Sequence, residues 1–134
     1  MEITISVEIK LPIDKVWDYW NAPKHIVNWN FASDDWQTTT AIINLKVNEK
    51  FSYYMEAKDK SFGFNFSGTY SKIITNELIE IVLDDSRKVK VAFFGDETTT
   101  KIVQSFEAEN ENEAELQKNG WQNILNNFKK YCEK

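Results

Sequence analysis

The chain has 134 residues, of which 42% are hydrophobic and 14% aromatic, so it can bury the core of one domain and is not a disordered protein. A net charge of −5 and a pI near 4.9 argue against nucleic acid or an anionic membrane as the main partner. One cysteine and one histidine exclude an internal disulfide and argue against a Cys/His metal site, so we expect neither a metal nor a cofactor.

The apolar residues form no run of the ~18 that a membrane span requires. Met1 leads directly into an alternating pattern, so we expect no signal peptide and no membrane insertion. These features predict a cytoplasmic protein.

The N-terminal region is predicted to form a strand and two short helices. Hydrophobic and polar residues alternate from 2 to 11, which is typical of a half-buried strand. Pro12 ends this strand, and an apolar face containing Trp17 and Trp20 predicts a helix from 13 to about 21. Pro23 interrupts that helix and allows a second short one from 25 to 29.

Six further strands follow, separated by polar turns, which predicts an antiparallel meander. Their predicted ranges are 38–47, 51–58, 62–73, 78–83, 89–93 and 98–108. The strand at 62–73 carries Phe62, Phe64, Phe66 and Tyr70 on one face and small polar residues on the other. We expect that face to form a wall of aromatic rings.

Residues 110–134 are predicted to form a long amphipathic helix. Its apolar positions recur at helical spacing and comprise Trp121, Ile124, Leu125, Phe128, Tyr131 and Cys132. Asn110 and Glu113 have the spacing of a capping box at its start. Gly120 costs about 1 kcal/mol relative to Ala in mid-helix, which indicates either close approach of another group or simple tolerance.

Five stretches resemble a known family: 12–17 (PIDKVW), 29–36 (WNFASDDW), 55–59 (MEAKD), 63–70 (GFNFSGTY) and 120–125 (GWQNIL). In this order they are similar to bacterial START/Bet v 1-like (SRPBCC) proteins of the Hsp90-ATPase-activator-homologue (AHSA1) or polyketide cyclase-like type. The family usually has Asn-Asp-Leu-x-Val-Gly-Gly at a turn where this chain has NLKVNE at 44–49. We expect Asn48 to supply the positive φ that a glycine would provide there.

The resemblance implies an α+β helix-grip fold, formed by 1–134 as a single domain. A curved antiparallel sheet of about seven strands, in the order β-α-α-β6-α, would wrap around the long C-terminal helix. It implies a protein that binds a small apolar molecule or lipid between sheet and helix, and we expect this protein to be a monomer. Two alternatives are an Hsp90 co-chaperone-like module that contacts a chaperone, and a polyketide cyclase or hydrolase-like enzyme.

The residues expected to face such a cavity are mainly large and apolar. They are Trp20, Trp29, Phe51, Tyr53, Met55, Phe64, Phe66, Tyr70, Phe93, Phe106, Trp121, Leu125 and Phe128. An empty pocket of ~300 Å³ would cost about 7 kcal/mol, so a real pocket would be small, wet or filled by an apolar molecule. The alternative is a closed aromatic core.

Catalytic candidates are few, and we assign no catalytic residue. His25 would need a carboxylate to act as a general base, with Asp34 or Asp35 as candidates, and is otherwise a surface or hinge residue. Cys132 is interpreted as a packing residue. The polar groups expected inside the pocket are Tyr53, Tyr70 and Gln104, which is a small set for an enzyme.

Overall fold

A computed structural model describes residues 1–134 as seven strands and three helices. Their bounds are β1 Glu2–Ile9, α1 Ile13–Asn21, α2 Pro23–Ile26, β2 Trp36–Ile43, β3 Lys50–Ala57, β4 Gly63–Ile74, β5 Leu78–Leu83, β6 Lys88–Gly95, β7 Thr100–Glu107 and α3 Ala114–Cys132. The strands form one antiparallel sheet in the order β1-β7-β6-β5-β4-β3-β2. The predicted helix-grip fold and its β-α-α-β6-α order are confirmed.

Tight turns between neighbouring strands produce this order. Asn48, Lys60, Asn76 and Ser86 have positive φ angles of 73°, 65°, 64° and 76°, and each lies between consecutive strands. The left-handed conformation predicted for Asn48 is therefore confirmed, and the turn forms without a glycine.

Helix α3 lies over one side of the concave face of the sheet. Among the strands it approaches β1 most closely, and it also contacts α1. Leu125 and Phe128 of α3 are buried in the same core as Ile5 and Ile9 of β1. Because α3 packs near the β1 edge, it leaves a space above the central strands.

The start of α3 differs from the predicted capping box. Glu113 is the N-cap residue and makes no capping hydrogen bond through its side chain. Instead, the buried Gln117 amide accepts a hydrogen bond from the Glu109 N–H at 2.9 Å and donates one to the Asn112 carbonyl at 2.8 Å. The Gln117 amide takes the place of an N-cap side chain, and the helix begins at Ala114 rather than near Asn110.

Helix α2 differs from the sequence prediction in its bounds, and the structure decides between the two alternatives for Gly120. Helix α2 begins at Pro23, which suits the first helical position because its missing N–H needs no partner there. A Cβ atom added to Gly120 would have no other atom within 4 Å, so that position reflects tolerance rather than close approach.

The aromatic wall on β4 is buried only at one end. Phe62 precedes the strand and is 63% exposed, while Phe64 is 41% exposed and Tyr70 is buried. Gly68 is required in this strand, because a Cβ there would lie 2.6 Å from the carbonyl oxygen of Val82. The wall therefore runs from the core to the solvent.

Candidate functional site

A cavity of about 320 Å³ lies between the concave face of the sheet and α3. Its wall consists mainly of side chains from the central strands, and it is completed by α1, by Trp29 and Asn30 after α2, and by α3. Of its 20 lining residues, 14 are hydrophobic, so the interior favours an apolar occupant.

Nine of the thirteen residues predicted from the sequence line this cavity. They are Trp20, Trp29, Phe51, Tyr53, Met55, Phe64, Phe66, Tyr70 and Trp121. The strand alternation and the apolar face of α3 bring them together, as the periodicity predicts.

The structure places the other four, Phe93, Phe106, Leu125 and Phe128, in the packed core instead of on the lining. The ring of Phe106 is covered by Trp121, which stacks on it at 4.0 Å between ring centroids. Phe128 is fully buried against Trp20 and Trp29, at 5.0 Å and 4.7 Å. These rings fill space rather than enclose it, so they are removed from the candidate site.

Other lining residues did not appear among the sequence candidates. They are Asn21, Asn30, Ile79, Ile81, Arg87, Val89, Val91, Glu109, Gln117 and Ile124, in addition to the anticipated Gln104. The aliphatic residues of β5 and β6 alternate like any core strand, so the sequence gives no sign that their space is left unfilled. Arg87 and Glu109 reach the cavity from outside the strands, and only the curvature of the sheet places them there.

Aromatic rings form a continuous surface along one side of the cavity. Phe51 contacts Tyr53, Phe66 and Tyr70, with ring centroids 5.2 Å, 5.9 Å and 5.5 Å apart. Phe66 in turn meets Trp121 edge-on at 5.9 Å, which connects β4 to α3 across the cavity. Such edge contacts fix ring orientation and give the lining a defined shape.

Three polar side chains on the cavity lining form no hydrogen bond within the protein: Gln104, Tyr53 and Tyr70. Because no fully buried side-chain nitrogen or oxygen lacks a partner, their polar atoms are open to the cavity. Gln104 and Tyr70 are 8% and 3% exposed. Burial raises the pKa of Tyr70 well above its usual value. Burial, together with the nearby Tyr70, also raises the pKa of Tyr53. Both phenols therefore stay neutral at physiological pH and can donate a hydrogen bond.

One end of the cavity is charged. The Arg87 Nε donates to Asp85 Oδ2 at 2.7 Å, and Nη1 donates to the Glu107 carbonyl at 3.4 Å. Burial opposes ionisation of Asp85, but the hydrogen bonds and charge of Arg87 outweigh it and hold the pKa of Asp85 below its usual value. Glu109 and Gln117 line the same end. The charge of Arg87 is thus already matched by the Asp85 carboxylate.

His25 lies outside the cavity lining and does not pair with either predicted aspartate. Its Nδ1 lies 2.5 Å from the Tyr131 hydroxyl and its Nε2 3.7 Å from Asp18 Oδ2. Neither Asp34 nor Asp35, the candidate partners for a catalytic role, pairs with it, because α2 turns the ring toward α1 and the last turn of α3. His25 connects these helices and does not reach the cavity.

Cys132 is 5% exposed, and burial raises the pKa of its thiol to about 12, as a packing role requires. No three His, Cys, Asp or Glu side chains are grouped so that they could hold a metal ion. None of the helices combines the length and the apolar character needed to cross a membrane.

Residues 10–133 match the family described as "Activator of Hsp90 ATPase homolog 1-like protein". The solution structure of Chr148 from Cytophaga hutchinsonii is 46% identical with a TM-score of 0.85, and the alignment covers 97% of this chain and 90% of that one. The AHSA1-like protein from Aeromonas hydrophila is 40% identical with a TM-score of 0.91, over 98% and 91% of the two chains.

Protein NE0264 from Nitrosomonas europaea, only 12% identical, has the same fold with a TM-score of 0.82 over 98% of this chain and 93% of that chain. No curated protein matches the sequence. The family match over most of the chain, and the two relatives that share its fold at 40% identity or more, lead to one conclusion. The chain belongs to the Activator of Hsp90 ATPase homolog 1-like family of the START/Bet v 1-like (SRPBCC) superfamily.

Proposed function

We propose that this protein binds a small, largely apolar molecule or lipid in the cavity between the sheet and α3. The observation that carries the proposal is the 320 Å³ space with 14 hydrophobic residues among its 20 lining residues. Proteins of this fold typically bind hydrophobic ligands, which supports the same conclusion.

The energetic cost of leaving the cavity empty supports the presence of a bound molecule. A dry void of 320 Å³ would cost about 8 kcal/mol, at about 24 cal/mol per Å³. That cost is comparable with the whole stability of a domain, about 5–15 kcal/mol. Water at about 30 Å³ per molecule would fill it with roughly ten molecules, most of them beside apolar walls. Replacing that water with an apolar molecule is favourable because such walls form few hydrogen bonds with it.

The test is binding of the neutral fluorescent probe N-phenyl-1-naphthylamine to the wild type and to a variant with a filled cavity. Ile81 faces the cavity and is 9% exposed, so Ile81→Phe adds volume inside it. Ile74, 39% exposed and absent from the lining, provides the matched control Ile74→Phe.

We expect saturable binding to the wild type and to Ile74→Phe, and at least tenfold weaker binding to Ile81→Phe. Equal affinity for all three proteins would show that the probe binds elsewhere. No saturable binding to the folded wild type, with this probe or with a fatty acid, would contradict the proposal.

The family description also permits a role in activating a chaperone ATPase. That alternative is tested by adding the protein to an Hsp90-type ATPase and measuring ATP hydrolysis. Concentration-dependent stimulation that persists in the Ile81→Phe variant would favour a surface interaction over the cavity. If neither the wild type nor the variant stimulates ATP hydrolysis, the chaperone alternative fails, and ligand binding in the cavity remains the proposed function.

A further inference from the structure

We propose that the natural ligand carries at least one uncharged hydrogen-bonding group, such as an alcohol, phenol or ketone, which is bound by Gln104 or by the hydroxyls of Tyr53 and Tyr70. This inference rests on the proposed function and specifies the ligand class. A purely hydrocarbon ligand would leave all three groups without a partner, and an anionic ligand would find no free cation.

Gln104 is the most informative of the three residues. It lies in the middle of β7 on the concave face, opposite Ile5 of β1 on one side and Val91 of β6 on the other. The residue is 8% exposed and borders the cavity, and its amide, which forms no hydrogen bond within the protein, is open to the cavity and not sealed in the core. A hydrocarbon that filled the cavity would cover this amide without giving it a partner, at a cost in free energy that Leu or Met would avoid. A polar group in the cavity would satisfy it.

Tyr53 and Tyr70 add two more polar groups on another part of the cavity wall. Both rings pack against Phe51, and both hydroxyls are open to the cavity and form no hydrogen bond within the protein. Phe51 and Phe66 show that β3 and β4 accept rings without hydroxyls on this face. The hydroxyls are therefore not needed to fill space, and they add two donors to an otherwise apolar wall.

The positions of the three polar groups also restrict the size of a ligand that can bind all of them. Two strands, β5 and β6, separate β4 from β7, so Tyr70 and Gln104 approach the cavity from different parts of the curved sheet. A ligand that spans the cavity reaches both parts. One with a single polar group reaches either the tyrosines or the amide.

The electrostatics favour a neutral group over an anionic one. Arg87 is the only cationic residue on the lining, and it already binds Asp85 at 2.7 Å, while Glu109 lines the same end. A carboxylate brought into the cavity would lose its hydration without gaining a free cation. The raised pKa values of Tyr53 and Tyr70 are a sign of the same environment, which disfavours charge.

The test compares three compounds with one ring system: naphthalene, 2-naphthol and 2-naphthoate. Their dissociation constants are measured at pH 7 by displacement of N-phenyl-1-naphthylamine. The test variant is Tyr53→Phe/Tyr70→Phe/Gln104→Leu, which keeps the size of each side chain. The control is Gln37→Leu, because Gln37 lies outside the cavity and binds Glu56 at 3.1 Å. Urea unfolding verifies that each variant is folded.

On the wild type and Gln37→Leu we expect 2-naphthol to bind about threefold to tenfold more tightly than naphthalene, and 2-naphthoate to bind most weakly. The triple variant should bind naphthalene at least as well as the wild type and lose the preference for 2-naphthol. The inference is overturned by equal affinities on the wild type, by tighter binding of 2-naphthoate, or by a preference that survives in the triple variant. If none of the compounds binds and the probe itself does not, the proposed function fails as well.

Discussion

The sequence assigns Phe66 and Phe128 to one cavity, but replacing each with alanine should lower the free energy of unfolding by very different amounts. Phe128 is fully buried and lies between Trp20 and Trp29, whereas Phe66 is half-buried and lines the cavity. A buried Phe covers at least about 150 Å² of surface, worth about 4 kcal/mol at about 25 cal/mol per Å². Phe128→Ala also leaves a void, so we expect a loss of about 3–5 kcal/mol in the free energy of unfolding.

Phe66→Ala should cost less than about 2 kcal/mol, because the vacated volume joins an existing cavity and creates no new closed void. Urea denaturation separates the two cases. With an m-value of about 2 kcal/mol/M, the midpoint of Phe128→Ala should fall by about 2 M and that of Phe66→Ala by less than about 1 M. Binding of N-phenyl-1-naphthylamine should weaken at least fivefold in Phe66→Ala.

If Phe128→Ala does not fold, Phe128→Leu supplies a milder version, with an expected loss of about 1–2 kcal/mol. Equal losses for the two alanine variants would refute the distinction between core and lining. A larger loss for Phe66→Ala would refute it as well.

Three other features predict measurable changes. Gly120→Ala should raise the free energy of unfolding by about 0.5–1 kcal/mol, because a Cβ there meets no other atom. Gly68→Ala should lower it, because a Cβ there would lie 2.6 Å from the Val82 carbonyl oxygen. Cys132 should react with iodoacetamide at pH 8 only after unfolding, since burial raises its pKa to about 12, and rapid reaction of the native protein would contradict its packing. The N–H groups of Thr99 and Thr98 lower the pKa of Asp96, so its contribution to stability is present above about pH 4 and is lost as the pH falls further. The free energy of unfolding measured between pH 5 and pH 3 should therefore fall less steeply in Asp96→Asn than in the wild type, and equal slopes would argue against this contribution.

The sequence predicts the elements that depend on local pattern. Alternation identifies β1, and the polar turns identify the boundaries of the later strands to within a few residues. The spacing of Trp121, Leu125 and Phe128 identifies the buried face of α3, because a helical period needs no knowledge of its partner. Asn48 shows that even an unusual turn is readable when one residue type tolerates the required φ angle.

Prediction fails where contacts outside the recognised sequence motifs decide the outcome. The start of α3 depends on Gln117 binding Glu109 and Asn112, which the local capping pattern around Asn110 cannot reveal. Whether a large side chain lines a cavity or fills a core depends on which neighbour covers it. Phe106 and Phe66 both face inward, but Trp121 stacks flat on the first and only meets the edge of the second. Periodicity reports the inward direction and contains no information about the remaining volume.

The most direct test of ligand binding is a two-dimensional NMR titration of the isotope-labelled wild type with N-phenyl-1-naphthylamine. Binding in the cavity predicts saturable shifts for Tyr70, Ile81 and Trp121, with little change at Phe94, which is 60% exposed and lies outside the lining. Shifts confined to the exposed side chain of Phe62 and its neighbour Trp36, or no shifts at all, would contradict a ligand site between the sheet and α3.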